Sequence, residues 1–226
     1  MDAEQEKIDL EFWTACGMRD ATALMRLSPS SVDVVCFGVP ALSHAAMSGS
    51  PEVLAALLAM GADVNATPVG TAGIAEALDP ASRPKNISLA FEYPDGCSSL
   101  VQAGRSNEWE KVALMLAAGA DPFLKDEEGL VPIQALLGAS RFGCNLFGSD
   151  RARVAEEIGL AMLDDPRGAW LLRDAARRVA ENEPEKRHGR ARFLVVLESL
   201  AVIADERFEI SVAAGTAAPK APSRSL

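Results

Sequence analysis

The chain has 226 residues, 49% hydrophobic and only 5% aromatic, with a formal net charge of −10. That apolar content supports a continuous core in one large domain or two small ones. Ala and Leu dominate and alternating β-branched residues are scarce, which excludes a sandwich or barrel and predicts stacked helices in an all-α chain.

Charge is uneven along the chain. Residues 1–150 hold 20 Asp/Glu against 9 Lys/Arg, while residues 151–226 hold 12 against 13. An acidic first part disfavours nucleic acid and anionic membrane, which need Lys/Arg clusters. It favours a basic protein partner, or serves solubility alone.

Taken in order, residues 3–16 predict an amphipathic helix with Ile8, Leu10, Phe12 and Trp13 among acids. Asp2, Glu4 and Glu6 suit the positive end of its dipole. Residues 20–27 predict a second helix, stopped by Pro29. Ser50 is a candidate N-cap, with Pro51 at the first helical position and Glu52 behind it. Val53, Leu54, Leu57 and Leu58 then form an apolar seam.

Residues 67–94 are rich in breakers, with a short helix possible at 72–78. Asn107 with Glu110 fits a capping box for the helix that follows. Gly138, Gly143 and Gly148 interrupt the next segment, and a helix over 151–163 stops at Pro166. Residues 169–181 and 190–205 predict two more helices, joined by a charged linker over 181–190. From Ala213 onward, Ala, Pro, Ser and Gly predict a disordered tail.

An internal echo organises these elements. Gly61-Ala62-Asp63-Val64-Asn65 recurs as Gly119-Ala120-Asp121-Pro122-Phe123, each after a Leu-rich helix. Leu42 and Leu100 each lie nineteen residues before those glycines. Gly38 and Gly96 lie four residues before each Leu, and Ile133 with Gly129 gives a third register. Phe12, with 31–34 nineteen residues later, gives a fainter one. A repeat of this kind resets the fold expectation.

The pattern resembles the ankyrin repeat over roughly residues 10–165. Its TPLHxA motif is matched loosely at 40–45, 98–103 and 131–136, and its Leu-Leu-x-x-Gly-Ala motif at 57–62 and 115–120. The family's His position holds Ser43, Val101 and Gln134, so the brace to the turn is expected to be missing. Leu42 and Leu100 are 58 residues apart, where the family spacing is 33, so about 25 residues are inserted.

The resemblance implies a helical solenoid of about four units over 1–165, with the insertion near 67–94. A C-terminal helical cap or degenerate repeat follows over 166–212, then the tail at 213–226. It also implies binding of another protein through the concave face and turn tips, with no cofactor. Register assigns Thr14, Gly17, Met18, His44, Met47, Ser48, Gln102, Arg105 and Ser106 to the concave face. The tips fall at 35–37, 65–67 and 125–128, which brings in Asn65, Asp126, Glu127 and Glu128. Phe91 and Tyr93 at the base of the insertion, and Trp109 at a first helical turn, are aromatic contact candidates or core.

Chemistry is sparse. His44 and His188 lie far apart without partners at metal-ligand spacing. Adjacent acids such as Glu127-Glu128, Glu156-Glu157 and Asp164-Asp165 point in different directions on a helix and read as solvated charge. No phosphate-cradling Gly-rich motif is present, and the glycines mark turns. Arg173, Arg177, Arg178, Arg187, Arg190 and Arg192 make a basic stretch, but Glu181, Glu183 and Glu185 interrupt it. Cys16, Cys36, Cys97 and Cys144 lack close pairing and read as reduced thiols. The expectation is a non-enzymatic, cofactor-free adaptor or inhibitor that binds a protein, not nucleic acid or membrane. A scaffold subunit, or an enzyme with a fold-assembled carboxylate site, are the alternatives.

The acidic N-terminus lacks the character of a signal peptide, and no apolar run reaches 18 residues. The expected location is the cytoplasm, although a specialised secretion system would leave no such mark. Sixteen Arg against six Lys, with abundant Ala, points to a GC-rich bacterial source.

Overall fold

The computed structural model describes residues 2–69, 96–106, 108–138, 150–182 and 190–214. Helix α1 (Ala3–Cys16) is opened by the Asp2 carboxylate, which accepts from the Glu4 N–H. The short α2 (Ala21–Leu24) is opened in the same way by Asp20. This helix is briefer than the 20–27 expected. The buried carboxylate of Asp9 accepts from the backbone N–H and hydroxyl of Ser30, tying the following loop to α1.

Strands β1 (Val35–Cys36) and β2 (Val39–Pro40) then pair antiparallel, Cys36 opposite Val39. The finger they form turns through Phe37 and Gly38, both at positive φ (54° and 74°). Next come α3 (Ala41–Ser48), α4 (Pro51–Ala59), α5 (Ser99–Arg105) and α6 (Trp109–Ala117). They are followed by α7 (Pro132–Gly138), α8 (Asp150–Leu160), α9 (Gly168–Asn182) and α10 (Arg190–Ala213).

Pairing and layering are regular. Among the described residues, each odd-numbered helix packs on the even-numbered helix after it, giving five pairs. The first members α1, α3, α5, α7 and α9 each contact the next in one row, and α2, α4, α6, α8 and α10 do so in a second. Phe12, Leu42, Leu100 and Ile133, at one position of the repeat, are all buried between the rows. Close approach depends on small residues: a Cβ on Gly104 of α5 would lie 2.5 Å from Leu136 of α7.

Caps follow the residues. The Ser50 hydroxyl accepts from the Val53 N–H, with Pro51 at the start of α4. Ser98 does the same for Val101 in α5. Helix α4 exits through Gly61 and α6 through Gly119, at φ of 89° and 93°, where a Cβ would be strained.

Several expectations change. Helix α6 opens at Glu108 without a side-chain cap, so the capping box from Asn107 does not describe this start; Asn107 itself lies outside the described residues. In the seam of α4, Val53, Leu54 and Leu57 are fully buried but Leu58 is half-buried, because the narrow stripe turns away from it. Lys111 stands in α6 where Val53 stands in α4 and is buried just as completely. Helix α8 ends at Leu160, short of 163, and α10 continues to Ala213, past 205. The helix expected at 72–78, most of the insertion, most of the charged linker, Cys144 and residues 215–226 lie outside the described residues.

Candidate functional site

The turns along one edge of the layers form a hydrogen-bonded row. The Asp33 carboxylate accepts from the Asp63 N–H at 2.8 Å, and Asn65 Oδ1 accepts from the Asp121 N–H at 2.8 Å. Asp63 and Asp121 each also close their own turn, accepting from the Asn65 and Phe123 N–H groups. Each exit turn is thus locked to the next by a side chain. Short polar residues recur there because they supply acceptors where the backbone turns away from its own helix.

The fingers lie beside one another. The Val69 N–H donates to the Gly38 carbonyl at 2.9 Å, and the Gly96 N–H donates to the Pro68 carbonyl at 2.9 Å. The chain therefore leaves the second finger at Val69 and returns at Gly96, one hydrogen bond from where it left. A Cβ on Gly96 would meet Glu127 at about 3.0 Å, so the second finger abuts the third. Val35 and Val69 are exposed on this edge, as are Glu127 and Glu128. Asp126 is half-buried and structural: its Oδ1 accepts from the Leu130 N–H at 2.8 Å, closing the third finger.

Residues assigned to the concave face divide. Ser48 is exposed and Arg105 half-buried, but His44, Met47 and Gln102 are buried. His44, Met47 and Gln102 thus correct the expectation of open contact positions. The His44 imidazole lies against Trp13, and Gly17 sits where any side chain would strike it. Burial lowers the His44 pKa to about 4, so the ring is neutral near pH 7. Gln102 Oε1 accepts from Arg105, while its Nε2 has no hydrogen-bond partner among the described residues.

Trp109 is half-buried, with the Arg153 guanidinium 3.6 Å above its ring. Phe91, Tyr93 and His188 lie outside the described residues. The His position of the motif is not idle. Gln134 Oε1 accepts from the Val131 N–H, bracing its turn, and its Nε2 donates to Asp174 of α9. Ser43 shares a 2.7 Å hydrogen bond with Ser99, which donates to the Ala66 carbonyl.

Sequence reasoning missed one network, built around a buried lysine. Lys111 Nζ donates to the Ala46 carbonyl at 3.2 Å and lies 3.7 Å from Glu108, whose other oxygen accepts from Arg19 at 2.8 Å. Burial lowers the pKa of Lys111, against the pull of Glu108. The network joins the first three pairs. Its only sequence signal was a lysine at a position held by valine one unit earlier.

Among the described residues, no group of three or more His, Cys, Asp or Glu could hold a metal ion. None of the described helices is long and apolar enough to cross a membrane. Cys16 is buried, which pushes its thiol up to about 12, and Cys36 is raised to about 11 by the same cause.

Comparison with known families places the ankyrin repeat at residues 37–66, from the turn of the first finger through α3 and α4 to the second exit turn. No curated protein matches the chain. The matched segment is a fold used for protein interaction, and it coincides with the part where finger, helix pair and exit turn are all described. The comparison thus shows one ankyrin repeat in the chain, at residues 37–66.

Proposed function

We propose that the five helical pairs act as one ankyrin-type solenoid, with α9 and α10 as its terminal unit, and that the protein is a cytoplasmic adaptor or inhibitor. Its partner is another protein with a basic surface. The observation that carries this reading is the row of locked fingers, which holds the exposed Val35, Val69, Glu127 and Glu128 on one edge. Apolar contacts there give affinity, while the carboxylates steer a basic partner to the edge. A rigid row also limits the ordering cost of binding. Ser48 and Arg105 extend the contact onto the neighbouring helix face.

The test is affinity purification with the full chain beside a Val35→Asp, Val69→Asp variant. A partner captured by the first and lost by the second, with binding weakened as salt rises, supports the reading. A partner held equally by both, or turnover of a substrate by the isolated chain, defeats it.

A further inference from the structure

A buried hydrogen-bond donor without an acceptor costs the desolvation of that group, so folded chains keep few of them and each needs a reason. Among the described residues, Gln102 Nε2 is the single buried side-chain nitrogen or oxygen in this position. Gln102 lies fully buried on α5, at the position that His44 holds on α3. Other buried polar side chains of the same row are satisfied, Ser43 by Ser99 and Gln134 by Asp174 and the Val131 N–H. Turning the Gln102 amide over does not help. Its Oε1 accepts from Arg105 at 3.3 Å, and reversal would set two donors against each other.

The surroundings of that amide select the acceptor it takes. One unit earlier, the Trp13 ring lies against His44. The residue in register with Trp13 is Ser43, and Gln102 has instead the half-buried Arg105 against it, from one turn further along α5. Helices α3, α5 and α7 contain no Asp or Glu, and Arg105 is the one charged residue in the three. A chain of net charge −10 thus holds, on this row, two neighbouring donors of which one is cationic, with no acid on those helices. An amide N–H and a guanidinium side by side match a carboxylate, one oxygen to each.

We propose that Gln102 and Arg105 form a carboxylate site on the face of α5, and that its occupant is an Asp or Glu side chain of the protein partner; the site rests on the reading of this chain as a binder of another protein. Arg105 swings outward, the carboxylate enters over Gln102, and its oxygens accept from Nε2 and from the guanidinium. The amide is held unsatisfied in the free chain at a cost in stability and gains its acceptor on binding. The finger carboxylates steer a basic surface without choosing among basic surfaces. An acid at one fixed place on the partner supplies that choice, because a partner lacking it leaves the buried amide unpaired.

The experiment follows the Gln102 side-chain amide by proton–nitrogen NMR in the full chain, the signal being identified by its loss in Gln102→Met. Sodium acetate should shift it saturably, acetamide at the same ionic strength should not, and Arg105→Gln should abolish the acetate response. Gln102→Met should melt no lower than the parent, because it deletes a donor that the free chain leaves unsatisfied. An amide that ignores acetate or answers acetamide equally, or a Gln102→Met chain that melts lower, overturns the proposal. A second arm uses the partner recovered with the full chain. Gln102→Met should weaken that complex by roughly tenfold or more, as loss of a hydrogen bond to a charged group does. A partner lost by the Val35→Asp, Val69→Asp variant but indifferent to Gln102→Met overturns this site and leaves the finger reading standing. A partner held equally by that variant defeats the finger reading, and the acetate response still decides the site.

Discussion

The Trp13 indole lies flat on the His44 imidazole, ring centroids 3.9 Å apart and planes within 5°. Trp13 also donates its Nε1–H to the Val39 carbonyl at 2.8 Å and meets Phe37 edge-on. One indole therefore fixes the first finger, α1 and α3 together. Burial lowers the pKa of its stacking partner, His44, to about 4 from the ordinary histidine value of 6.5, so the ring stays neutral well below pH 6. The folded state binds fewer protons than the unfolded state between those values, so its advantage is complete above pH 6.5 and is lost as pH falls toward 4. The expected loss is up to about 3 kcal/mol. Urea unfolding from pH 7 to 4 checks it: His44→Gln should show a shallower decline than the parent chain, and parallel curves would refute the linkage.

Gly17 exists for that ring. A Cβ there would lie 2.0 Å from His44 Nε2. Gly17→Ala should cost about 1–3 kcal/mol through overpacking. Adding His44→Ala should remove most of that increment, because the clash has one partner. Thermal unfolding of the double-mutant cycle gives the coupling, and strict additivity would show that the strain lies elsewhere.

The layered fold was legible because its signals are local and recur. The spacing of Leu42, Leu100 and Ile133 located a buried position in three units, and Ser50-Pro51 located a helix start to the residue. What failed depended on neighbours in space. His44 looked like a surface histidine until α1 placed Trp13 over it. Lys111 drew no attention in its own neighbourhood, although its register partner Val53 is core. The fingers were found as glycine turns, yet the side-chain locks between them join residues as far apart as Asn65 and Asp121, which no local pattern connects.

The buried lysine should be dispensable in one way and not in another. Lys111→Met keeps the volume and removes a charge whose burial is costly, so stability should stay within about 1 kcal/mol or rise. Lys111→Ala also removes the stem and leaves a cavity, and should cost about 2–4 kcal/mol. Equal loss in both variants would mean that the bond to the Ala46 carbonyl dominates.

The inter-unit seam of α4 centres on Leu57, with Leu58 at its margin. Leu57→Asp buries an unpaired carboxylate and should cost at least about 3 kcal/mol. Leu58→Asp can turn its charge toward water and should cost clearly less. Melting points for the two variants decide this, and the reverse order would put the helix in a different rotation.

The acidic third finger separates steering from structure within three consecutive residues. Asp126 closes the turn through the Leu130 N–H, so replacing it would disturb the finger itself. Glu127 and Glu128 are exposed beside it. Glu127→Ser with Glu128→Ser should leave the helical circular dichroism of the chain unchanged. Against a basic partner recovered by affinity purification, the same pair of changes should slow association and flatten its salt dependence, with dissociation little changed, because rim charges act on encounter more than on the docked state. Stopped-flow association from low to physiological ionic strength measures both rates. An on-rate that ignores salt in the parent chain would assign these carboxylates to solubility alone and remove electrostatic steering from the proposed function.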